Sequence, residues 1–82
     1  MIEDISRYLA GRPGDPDAYA VRGDAWLKLG EPGEAIADFT KAIALAPSDP
    51  GHYFLRAMAY RESGMRAKEA ADMKKYQDLS KK

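Results

Sequence analysis

The chain has 82 residues, 45% hydrophobic and 32% charged, with no cysteine and a formal net charge of zero. That length holds one small domain that needs very regular helix packing to fold alone, and the lack of cysteine excludes disulfides and thiolate metal sites. The first residues form neither a basic nor an apolar targeting region, and no apolar run approaches the length of a membrane span, so a soluble, cytoplasmic chain without membrane association is expected.

In chain order, residues 1–11 read as a helix with Ile2, Ile5, Tyr8 and Leu9 on one stripe. Gly11 to Pro16 is a connector in which Asp15 is the expected N-cap and Pro16 the first helical residue, where its missing N–H costs nothing. The second helix is predicted to run to about Leu29, with Gly30 supplying the left-handed residue that helix ends often need. Glu31-Pro32-Gly33 opens the third, through about Ala46, and Ser48-Asp49-Pro50 repeats the cap for the fourth, to about Ser63, closed by Gly64. Met65-Arg66 leads into the last helix, to about Leu79, and Ser80-Lys81-Lys82 is expected to fray.

These elements repeat at an offset of about 34 residues. Tyr19 falls on Tyr53, Arg22 on Arg56, Gly23 on Ala57, Trp26 on Tyr60, Gly30 on Gly64, Asp38 on Asp72 and Phe39 on Met73. Moved back one period, Asp4 matches Asp38, Ile5 matches Phe39 and Pro13 matches Pro47. Residues 1–13 are therefore either the trailing half of a unit or a helix that caps the stack.

The spacing Tyr19-x2-Arg22-Gly23-x2-Trp26, followed by Ala35-x3-Phe39, Ala42 and Pro47, resembles a tetratricopeptide repeat. The second copy departs in its second helix, where Glu69, Met73 and Tyr76 replace Ala35, Phe39 and Ala42. The resemblance implies an all-α fold, a right-handed superhelix of antiparallel hairpins with five helices. It would form a single domain over 1–82: a half unit or cap at 1–13, a full repeat at 16–49 and another at 50–82 with a polar last helix. It implies a noncatalytic module that binds a peptide or helix of another protein in a concave groove. Carried over position by position, the lining is Asp17, Ala20, Val21, Asp24, Leu27 and Lys28, then Phe54, Leu55, Met58, Arg61 and Glu62. The carboxylate clamp used by some members is absent, because its positions hold Ala20, Val21, Asp24, Phe54, Leu55 and Met58. A partner with an apolar segment flanked by mixed charge fits better.

On the opposite flank, Tyr19, Gly23, Trp26 and Gly30 share one face, and the aromatics are expected in the core against Ala35, Phe39, Ala42 and Ile43. Each of Arg22 and Arg56 has an aspartate sixteen residues later, Asp38 or Asp72, and each pair is expected to bridge its hairpin. No nucleophile, base and orienting group occur together, so no enzyme, cofactor or metal is expected. His52, the only histidine, is read as a surface residue. The last helix carries Arg66, Lys68, Lys74 and Lys75, and Lys81 and Lys82 follow, but Glu69, Asp72 and Asp78 interleave, which argues against nucleic acid. Residues 1–49 hold nine acids and five bases and residues 50–82 four acids and eight bases. That asymmetry, with the apolar Phe54, Leu55 and Met58, leaves open a second reading: a structural module that stacks on copies of itself through its open ends.

Overall fold

Aspartate and proline punctuate the chain where its first-of-pair helices begin. The computed structural model describes residues 1–81, with α1 at Ile2–Gly11, α2 at Pro16–Lys28, α3 at Pro32–Leu45, α4 at Pro50–Glu62 and α5 at Arg66–Ser80. Asp15 caps α2 by accepting from the Ala18 N–H at 3.2 Å, and Asp49 caps α4 by accepting from the Gly51 N–H at 2.9 Å. Both satisfy donors that a helix start leaves without partners. Helices α2 and α4 end alike: Gly30 and Gly64 take φ of 79° and 74°. The following N–H of Glu31 or Met65 reaches back to the carbonyl of Trp26 or Tyr60, each at 2.9 Å, which is the Schellman closure. Helix α5 extends through Ser80, one residue past the expected end at Leu79; Lys82 lies outside the described residues.

Helix α2 pairs with α3 and α4 with α5, while α3 also packs on α4, α1 on α2, and α2 directly on α4. The helices thus zigzag between two layers in a slab of 33 × 28 × 14 Å. Its centre is a cluster of Ala35, Phe39 and Ala59, with Trp26, Leu27, Ile36 and Leu55 packed against it. Phe39 is the large side chain that is fully buried, and the absence of a side chain at Gly23 makes room for it. A Cβ placed there would stand 2.6 Å from Phe39 Cε1. Trp26 borders this core, and both it and Tyr60 keep part of their surface in solvent; the Arg56 and Lys68 head groups lie over the Tyr60 ring.

The expected arginine bridges are present, and each reaches one helix further. Arg22 donates from Nε and Nη2 to the two carboxylate oxygens of Asp38, at 2.8 and 2.7 Å, and from Nη1 to the Ser6 hydroxyl at 3.1 Å. Arg56 repeats this with Asp72, both at 2.8 Å, and with the Thr40 hydroxyl at 3.2 Å. Each guanidinium therefore ties its own hairpin together and fastens it to the helix before. Hydrogen bonding to the carboxylate holds both arginines more firmly protonated, against an opposing effect of burial. Among the described residues there is no strand, and no helix is long and apolar enough to cross a membrane.

Candidate functional site

The side chains of α2 and α4 that the core does not use define the surface open to a partner. Of the residues expected there, Asp17, Val21, Lys28, Phe54, Arg61 and Glu62 are exposed, and Asp24 and Met58 are half-buried. Val21 is 53% exposed. Ala20 needs correction, and two half-buried leucines are shared with the core. Ala20 is buried, and Leu27 and Leu55 lean on the Ala35–Phe39–Ala59 cluster. The flank assigned to a groove is thus partly used for cohesion, because neighbouring first helices touch each other and not only their own partners.

Phe54 shows the same effect in reverse. It stands one period after the buried Ala20 yet is 37% exposed, and its ring lies 5.2 Å from that of Tyr76 on α5. No helix follows α5 among the described residues, so this aromatic pair sits at the edge of the slab instead of between helices. At the other edge a cleft of about 390 Å³ is lined by Ile5, Tyr8, Ala18 and Val21 and flanked by Asp4, Asp15 and Asp17. Tyr8 donates to Asp15 at 2.7 Å. This bond, aided by the Ala18 N–H, holds the Asp15 carboxyl below its ordinary value. The charged members of the expected lining pair locally: Lys28 with Asp24 at 3.1 Å, and Arg61 with Glu69 of α5 at 2.9 Å.

His52 is a further correction. It is 4% exposed, not a surface residue, because its position in the first turn of α4 turns it inward. Both of its ring nitrogens are buried without a hydrogen-bond partner. Nε2 lies 3.4 Å from Asp49 Oδ2, close enough for charge contact but not aligned for a hydrogen bond. Donor atoms of Asp17, Asp49 and His52 all fall within 4.8 Å of one another. The repeat pattern does not mark this grouping, since Ala18 occupies the position of His52 in the preceding copy.

Stacked antiparallel helix pairs with a partly free first-helix face define a helical-repeat protein. Residues 16–49 match the tetratricopeptide repeat family model, so the chain carries a repeat of that family. Two crystal structures of MamA superpose with TM-scores of 0.90 and 0.91 at 27% identity, covering 95% of this chain and 43% and 46% of those chains. A point mutant of MamA gives 0.91 at 23% identity, with 95% of this chain and 57% of that one covered. The chain thus spans about half the length of these structures. No curated protein sequence matches it.

Proposed function

We propose that this protein-interaction repeat module is noncatalytic and holds a partner peptide or helix against the free flank of α2 and α4. The observation that carries the reading is the exposure of Val21 and part of Met58 on that flank, bordered by the Asp24–Lys28 and Arg61–Glu69 ion pairs and by the exposed Glu62. Apolar side chains on such a face mark an interaction site, and the pliable thioether of Met58 suits more than one partner shape. In this reading 16–49 and 50–82 are two repeats and 1–13 a half repeat or cap. Panning a displayed random-peptide library tests it. The expected ligands are apolar segments flanked by mixed charge that bind wild type but not Val21→Ser/Met58→Ser, with helicity unchanged by circular dichroism. A library without enriched sequences, or equal capture by the variant, would overturn it.

A second reading is favoured by the Phe54–Tyr76 edge and the opposite acid-flanked cleft: copies stacking end to end. Sedimentation over a concentration series separates the two. Mass that grows with concentration in wild type and stays constant in Phe54→Ser supports stacking, whereas constant mass in both supports a monomeric binder.

A further inference from the structure

We propose that Asp17, Asp49 and His52 form a binding site for one divalent transition-metal ion, which would clip the N-terminal end of α2 to that of α4. Two acidic residues at helix starts would be unremarkable alone, because the macrodipole favours them there. The buried imidazole distinguishes this place. A ring whose two nitrogens are both removed from water and unpaired leaves polar groups unsatisfied, which costs free energy unless something coordinates or hydrogen-bonds them.

The geometry suits a tetrahedral ion. With metal–nitrogen and metal–oxygen bonds of about 2.0–2.2 Å, neighbouring ligand atoms on a tetrahedron stand roughly 3.3–3.6 Å apart. His52 Nε2 and Asp49 Oδ2 are already 3.4 Å apart. Asp17 completes the triad within 4.8 Å, and its exposed side chain can swing the remaining distance. Asp49 serves both roles without conflict: Oδ1 accepts the Gly51 N–H that caps α4, leaving Oδ2 for the ion. The exposed carboxylates of Asp17 and Asp49 give an ion a path from solvent to the buried nitrogen. One imidazole and two carboxylates neutralise a 2+ charge and suit a borderline cation such as zinc, and water would take the fourth position. The ligands come from both first helices, whose direct contact is slight, so the ion would brace them together. This inference is independent of the peptide-binding reading.

Zinc added to the purified chain tests it. Calorimetric titration should show one saturable Zn²⁺ per chain, and the melting temperature should rise with zinc concentration, as for any ligand selective for the folded state. Asp17→Asn, an exposed change that should barely alter metal-free stability, should weaken binding by about tenfold or more. Because His52→Gln could destabilise the fold, the wild-type His52 ring nitrogens should also be followed by NMR. Zinc should shift Nε2 strongly. Absence of saturable binding, undiminished affinity in Asp17→Asn, or an unmoved His52 resonance would each overturn the proposal.

Discussion

Gly23 sets two opposing effects against each other. Alanine is the better helix former by about 1 kcal/mol, but its Cβ would enter the ring of Phe39, which is fully buried and cannot withdraw. Overpacking of this kind costs about 1–3 kcal/mol, so Gly23→Ala should lower stability in urea unfolding. Adding Phe39→Met should make the pair less harmful than the two separate losses summed, because the second copy combines Ala57 with Met73. Tyr8 offers a pH test. Its hydrogen bond holds the Asp15 carboxyl below the ordinary 3.8. The folded state therefore gains from the ionised form above the unfolded value and loses that gain as pH falls through the lower folded one. Tyr8→Phe should raise the Asp15 midpoint in an NMR titration, and an unmoved midpoint would count against the bond.

Among the helices, the arginine ties carry the most pairwise information. Asp38→Ala would strand Arg22 beside the core and should cost about 2–4 kcal/mol, somewhat below a fully buried pair because the guanidinium keeps partial access to water. Replacing both, as Arg22→Met/Asp38→Leu, should cost less than the single change when compared by denaturant midpoint. Among the described residues, helices α1 and α5 each pack on one neighbouring helix, so their amides should exchange with solvent before those of α3. The Arg–Asp pairing was legible because arginine and aspartate recur at the same interval in both copies, and chance rarely repeats an opposite-charge pair. The Ser6 and Thr40 contacts lie sixteen residues before the arginines, a signal equally present. Small hydroxyl residues are too common on helix surfaces to mark a partner by themselves.

For the whole molecule, the periodic pattern revealed the five helices but treated equal positions as equal environments. They are not equal in a stack this short. Ala20 is covered and Phe54 is not, and His52 is buried, because burial depends on which neighbours are present as well as on register. The pattern also spread the core over several aromatics, whereas Phe39 is the large side chain that is fully enclosed. Phe39→Ala should cost about 3–5 kcal/mol, comparable to the entire stability of so small a domain, and should abolish the helical signal at ambient temperature. Phe54→Ser should leave that signal intact.

The hydroxyl that each arginine grips marks the same joint in both copies of the array. Since Ser6 and Thr40 stand at matching points, a single guanidinium spans the step from one helix to the next hairpin in each copy. Lys74 holds the corresponding point on α5; it cannot accept that bond and carries the same charge as the arginine. A hairpin grafted after α5 would therefore meet repulsion at this joint, and tandem fusions should bend there unless Lys74 is exchanged for threonine.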